Sequence, residues 1–323
     1  MFESGHYREY LRTMSRFHRY SLNNTILIWL QNPGASRVAG FRAWQEMGRY
    51  VKRGEHGITI FAPAPFKTII QQKQIDPDTQ QVILGRDGKP VMTEQEIKVP
   101  AYKAVTVFDI AQTDGEPLPE IVTPLTGDVE HYEAFLEALR RSAPVPMAIE
   151  PIEDGSNGFF SLKEQRIVVR AGMSQAQTVE TSIHEAAHSL VHNYAVTEER
   201  PKDRPTMELE ADSIAFVVAG AFGLETGDCS FGYIASWCAE KAADKLRASL
   251  ETIVETSNRL IDDIERNFAA VCTERGIMRA ERWDETLGQA REKACASWEA
   301  RQTQPRQRRK SGRSGKKRSA MQR

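Results

Sequence analysis

Thr178-Val179-Glu180-Thr181-Ser182-Ile183-His184-Glu185-Ala186-Ala187-His188-Ser189-Leu190-Val191-His192-Asn193-Tyr194 is a run without proline or glycine, and it reads as a helix. On a helix, side chains at i and i+4 stand above one another, so His184 and His188 can grip one metal ion from a single face. Glu185 is displaced by about 100° from His184. It lies beside such an ion rather than on it, where a carboxylate can take a proton from an adjacent water.

Zinc needs a third protein ligand, and a catalytic site leaves its fourth position open. Downstream, Met207-Glu208-Leu209-Glu210-Ala211-Asp212 follows Pro205, a natural first helical residue, and Gly223 is a natural stop. The pattern predicts a second helix over about 205 to 222. Glu208 and Glu210 lie about 200° apart on it, so only one can face the histidines. Glu208 shares its face with Asp212, which is placed to orient a histidine through its other ring nitrogen. Glu210 instead aligns with Ile214, Val217 and Ala221. Glu208 is therefore the favoured third ligand. Acidic residues also suit a helix's first turn for dipole reasons alone. His192 is a rival ligand by spacing. However, three ligands strung over about 12 Å of helix cannot all reach one tetrahedral ion.

The surrounding composition is that of a globular chain: 323 residues, 40% hydrophobic and 27% charged. Its longest nearly unbroken apolar run, Ile214 to Leu224, is far short of the roughly 20 residues a membrane span needs. The N-terminus lacks the basic-then-apolar order of a secretory signal. Cys229, Cys238, Cys272 and Cys295 show no Cys-x-x-Cys spacing and read as free thiols. These features predict a cytoplasmic protein.

The net charge of −1 conceals three electrostatic regions. Residues 1 to 70 hold ten Lys/Arg against four Asp/Glu, giving +6; residues 71 to 300 hold 23 against 40, giving −17; the last 23 residues hold ten against none, giving +10. Only the two ends should be drawn to phosphate.

In the basic front, Tyr7, Tyr10, Leu11, Met14 and Phe17 recur at helical spacing, with arginines largely off that stripe. A second short helix to Leu30 follows, with Asn24 as its expected cap. Ile58 to Phe61 is the first convincing strand. The reading stays β-rich from Phe66 to Ile110 and includes an Asp87-Gly88 hairpin signal. Aromatic rings are interleaved with cations throughout, the composition a single-strand groove requires, although rings in a core beside a solvated cationic face give the same composition.

Several runs in this region, Phe17-His18-Arg19-Tyr20-Ser21-Leu22-Asn23-Asn24, Val38 to Trp44, Gly54 to Ile58 with Ala62-Pro63, and Val105 to Asp109, resemble the N-terminal domain of ArdC-type antirestriction proteins and the LtrC-like proteins of conjugative elements. The H-E-x-x-H run, Glu208 to Ser213 and Phe231 to Trp237 are similar to the zincin-like metallopeptidase half of that family. The resemblance covers about residues 5 to 268. It implies single-stranded DNA binding, a mobile-element origin and a role in helping incoming DNA evade restriction. It also implies that His184, His188 and Glu208 hold zinc and that Glu185 is the catalytic glutamate. Asp212 departs from the glutamate often found at its slot. The candidate nucleic-acid contacts in the basic front are Arg16, Tyr20, Asn23, Asn24, Trp44, Lys52, Arg53, His56 and Lys67.

The expected architecture is α+β. Residues 1–115 form a small single-strand-binding domain, 116–127 a linker, 128–270 a zincin-like metallopeptidase domain with a small antiparallel sheet, 271–299 a helical extension and 300–323 a disordered basic tail. Residues 166 to 170 are the expected edge strand for a peptide substrate. Three readings compete: a DNA-binding protein with a gluzincin-like hydrolase centre, a non-enzymatic DNA shield whose zinc is structural, and a regulatory protease that removes a host repressor or restriction subunit with DNA as its trigger.

Overall fold

The computed structural model describes residues 4–77, 80–86, 88–118, 129–194, 202–224, 243–277 and 283–303. It is an α+β protein. The first half contains α1 (Ser4–Arg16), α2 (Leu22–Gln31), β1 (Val38–Gly40), α3 (Phe41–Glu46), β2 (Arg49–Val51), β3 (Ile58–Pro63), β4 (Phe66–Lys73), β5 (Met92–Val99), β6 (Tyr102–Asp109) and β7 (Thr113–Gly115). The second contains α4 (Val129–Ser142), β8 (Met147–Glu150), β9 (Gly158–Ser161), β10 (Arg166–Arg170), α5 (Gln175–Val191), α6 (Arg204–Ala221), α7 (Ala243–Arg275) and α8 (Trp283–Thr303).

Strand β6 is the spine of the front half, pairing antiparallel with β1 on one side and β3 on the other. Alternation along β3 turns Ile58 and Ile60 inward, onto a small core with Phe17, Ile28, Val38 and Val107. Buried Asp109 ties the loop before β1 to β6. Its Oδ1 accepts from the Ser36 and Arg37 N–H groups at 2.8 and 3.0 Å, and its Oδ2 accepts from Ala111 N–H at 3.0 Å. Helix α2 is capped by Ser21, whose hydroxyl accepts from Asn24 N–H. The expected cap, Asn24, has another task. Its amide donates to Phe61 O and accepts from Phe61 N–H, both at 2.9 Å, which fastens α2 to β3. Strands β4 and β5 form a two-stranded antiparallel ribbon, and β2 pairs with β7. Residue Asp87 of the hairpin signal lies outside the described residues.

Most of the amphipathic stripe that begins in α1 serves the larger core, and only its last member, Phe17, joins the front one. Tyr7, Tyr10, Leu11 and Met14 are buried in the larger core, with α4, α5, α6 and α7. The Tyr7 hydroxyl meets Ser213 Oγ at 2.7 Å. The helices cross closely because Gly220 has no side chain: a Cβ there would sit 3.1 Å from Ser15. At the centre of this core Phe135 meets Phe222 and Phe268 edge-on at 4.9 and 5.9 Å between centroids. Helix α8 returns to the front half, where Leu287 and Ala290 pack with Ala39, Ala43 and Trp44. The tail from 304 onward lies outside the described residues, as does most of the expected linker.

The second sheet has the order β8-β10-β9, with β10 parallel to β8 and antiparallel to β9. It is therefore mixed rather than antiparallel, and β10 is its centre rather than its edge. The run Ile167-Val168-Val169 is buried on both faces, which explains its lack of alternation. The outer strand on α5's side is β9. Among the described residues no helix is long and apolar enough to cross a membrane.

Candidate functional site

Helix α5 begins at Ser174, whose side chain accepts from Gln177 N–H while Gln177 reaches back to the cap. Its small residues Ala186 and Ala187 are fully buried, so the helix sits close to its neighbours. Helix α6 begins at Asp203, which accepts from the N–H and hydroxyl of Thr206 at 3.0 and 2.7 Å, with Pro205 in the first turn. These two starts fix the rotation of both helices where they pack together.

Their meeting point brings three donors together. His184 Nε2 and His188 Nε2 are 3.0 Å apart, and Glu208 Oε2 lies 3.7 Å from the first and 3.6 Å from the second. Arms of about 2.0–2.1 Å at tetrahedral angles place ligand atoms about 3.3 Å apart. The triangle therefore fits one small divalent cation. Behind it, Asp212 Oδ1 is 3.0 Å from His184 Nδ1, so that nitrogen keeps its proton and Nε2 is the nitrogen left to hold an ion. Glu210 is not in the triangle. It is wholly buried, 3.0 Å from His192 Nε2. His192 is no ligand either: its Nδ1 stands 2.9 Å from His188 Nδ1, on the side away from the donors.

Electrostatics agree with this geometry. Burial pulls the His184 imidazole down, but its hydrogen bonds to Asp212 and Glu208 raise it to about 10. Burial and the neighbouring rings of His184 and His192 push His188 down to about 4. The hydrogen bond to His184 holds Glu208 at about 2. Glu185 is buried, and desolvation raises its carboxyl above the usual range, opposed by His184 and by the Phe160 backbone N–H.

The triangle opens into a cleft of about 1020 Å³, lined by Phe159, Phe160 and Leu162 from the β9 side and by Tyr194, Met207 and Arg204 opposite. Gly158 is required here. A Cβ would lie 2.7 Å from Thr181 Cγ2, 3.0 Å from the Val168 carbonyl and 3.2 Å from Glu185 Cγ. Gly158→Ala is expected to lower stability by about 1–3 kcal/mol, read by urea unfolding.

The residues expected to contact nucleic acid are dispersed. Trp44 is fully buried and its indole N–H donates to Phe108 O at 2.9 Å, so it is a core ring with no face to offer. Asn24 is the clamp described above. Arg16 donates to Ala35 O at 3.1 Å, Lys52 to Ala111 O at 3.0 Å, and Lys67 pairs with Glu96 at 2.6 Å. The Tyr20 hydroxyl accepts from Arg291 at 3.1 Å. Asn23, Arg53 and His56 are exposed. The outer face of the β3-β6 pair instead presents Phe61 and Tyr102, 50% and 71% exposed, two aromatics absent from the expected set. Alternation along β3 was the signal for Phe61. Tyr233 and the Phe231 to Trp237 run lie outside the described residues.

Residues 2–108 match the family model for the N-terminal domain of anti-restriction factor ArdC. Over 290 residues the chain is 26% identical to an uncharacterized protein of Bacillus anthracis, covering 81% of this chain and 48% of that protein. The chain thus spans about half the length of the curated relative it matches. Two crystal structures of the antirestriction ArdC protein from the R388 plasmid are also similar. The metal-free one shares 22% identity at a TM-score of 0.44, over 78% of this chain and 86% of its own. The Mn(II)-bound one shares 20% at 0.46, over 77% and 85%. The front third of the chain, residues 2–108, is thus similar to the N-terminal domain of anti-restriction factor ArdC.

Proposed function

We propose that this protein is a cytoplasmic antirestriction factor that binds single-stranded DNA through its front half and hydrolyses peptide bonds at a zinc centre held by His184, His188 and Glu208. The observation that carries the hydrolytic reading is the convergence of three donor atoms at 3.0, 3.6 and 3.7 Å on an open cleft. A bound zinc ion would supply Lewis acidity to a scissile carbonyl and lower the pKa of a water. Asp212 orients His184. Glu185, buried beside the donors but outside their triangle, takes the proton of the attacking water and returns it to the leaving amine. Strand β9 offers its outer edge to an extended peptide, whose apolar side chains suit Phe159 and Leu162.

Two features favour hydrolysis over a purely structural metal. The donor triangle is open to a cleft, whereas structural sites are closed by a fourth protein ligand. Glu185 also stands beside the ligands and outside their triangle, the place of a base, which a structural site does not need.

For DNA, the exposed rings of Phe61 and Tyr102 on one sheet face form a stacking surface. Phe61→Ala with Tyr102→Ala is expected to weaken binding of an oligothymidylate about tenfold or more, read by fluorescence anisotropy across salt. His188→Ala is expected to lose zinc, by mass spectrometry, while keeping oligothymidylate affinity. Unchanged affinity in the double variant would exclude this face, and zinc retained by His188→Ala would exclude the site.

A further inference from the structure

Resting on the metal reading above, we propose that His192 and Glu210 are positioning residues that set the tautomer of the ligand His188. A ligating Nε2 requires the His188 proton to sit on Nδ1. The atom facing that nitrogen, at 2.9 Å, is another ring nitrogen, His192 Nδ1. Two protonated nitrogens cannot share this contact, so His192 Nδ1 must accept and its own proton must sit on Nε2. There it meets Glu210 Oε2 at 3.0 Å. A carboxylate only accepts, which fixes the second tautomer and, through it, the first.

The relay is built into the fold rather than draped over it. The side chains of His192 and Glu210 are 3% and 0% exposed. His192 is the C-cap of α5, its backbone N–H donating to His188 O at 2.9 Å. Lys202 Nζ donates to both Glu210 oxygens at 2.8 and 2.9 Å, and Ser249 of α7 donates to the same carboxylate. A fully buried charge is costly unless paired, and here the end of α5, the loop before α6 and α7 supply its partners. Asp212 performs for His184, in one step, what His192 and Glu210 perform for His188 in two.

The test is zinc affinity, measured by competition with a chromophoric chelator, together with ¹⁵N tautomer assignment of the wild-type histidines. His192→Phe removes the acceptor and is expected to weaken zinc binding about 10- to 100-fold. His192→Asn returns a carbonyl oxygen to the place of Nδ1 and is expected to recover most of that loss, which a merely structural role would not predict. The zinc-loaded wild type is expected to show His192 neutral with its proton on Nε2. Wild-type affinity in His192→Phe, or a wild-type proton on His192 Nδ1, overturns this inference and leaves the metal site standing. A wild type that takes up no zinc removes the metal reading itself. Should His192→Phe fail to fold by circular dichroism, the tautomer assignment decides.

Discussion

Glu185→Gln protein is expected to bind as much zinc as the wild type and to lose peptide hydrolysis by about 10²- to 10⁴-fold. The two halves of this expectation come from different features. Zinc is retained because Glu185 is outside the donor triangle, which His184, His188 and Glu208 complete without it. Turnover falls because glutamine keeps the shape but cannot accept a proton. The environment already suits a base. Desolvation raises the carboxyl above the usual carboxylate range, opposed by His184 and by the Phe160 N–H. Metal is read by mass spectrometry and cleavage by a quenched-fluorescence peptide library on zinc-loaded protein. Equal turnover in variant and wild type would refute the assignment. Zinc loss in the variant would instead mean that the carboxylate helps hold the ion.

Local chemistry was legible in the sequence wherever a feature needs only its own helix. The i, i+4 spacing gave the two imidazoles, Pro205 gave the start of α6, and rotation about one helix separated Glu208 from Glu210. Features that depend on a distant partner were not legible in the same way. The stripe Tyr7, Tyr10, Leu11 and Met14 announces a buried face on α1 but not which core receives it, and it enters the core of the second half. Strand β10 was expected at an edge although its unbroken apolar run suits burial on both faces, and its central place depends on β8 and β9, whose pairing no spacing encodes. Trp44 and Phe61 are equally aromatic, and only the packing of α8 and α3 buries the first. His192 was spaced as a ligand because helical drift over eight residues is small. The chain turns at that residue, and its ring comes to stand behind His188.

Zinc loading is expected to release about one proton per ion near pH 7.5, with apparent affinity rising about tenfold per pH unit through the neutral range. The sign follows from which donors hold protons in the metal-free protein. His184, raised to about 10 by Asp212 and Glu208 against the pull of burial, is an imidazolium at that pH. His188, pushed to about 4 chiefly by burial, is already neutral. Glu208, held at about 2 mainly by His184, is already ionised. A cation therefore competes with a single proton, the one on His184 Nε2, because Asp212 retains the proton on Nδ1. Raising the pH removes that competitor, and the dependence should flatten as pH approaches 10. Isothermal titration in buffers of different ionisation enthalpy counts the protons directly. A count of zero between pH 6.5 and 9 would mean that His184 is neutral before the ion arrives. In that case the Asp212 and Glu208 carboxylates orient the ring without charging it.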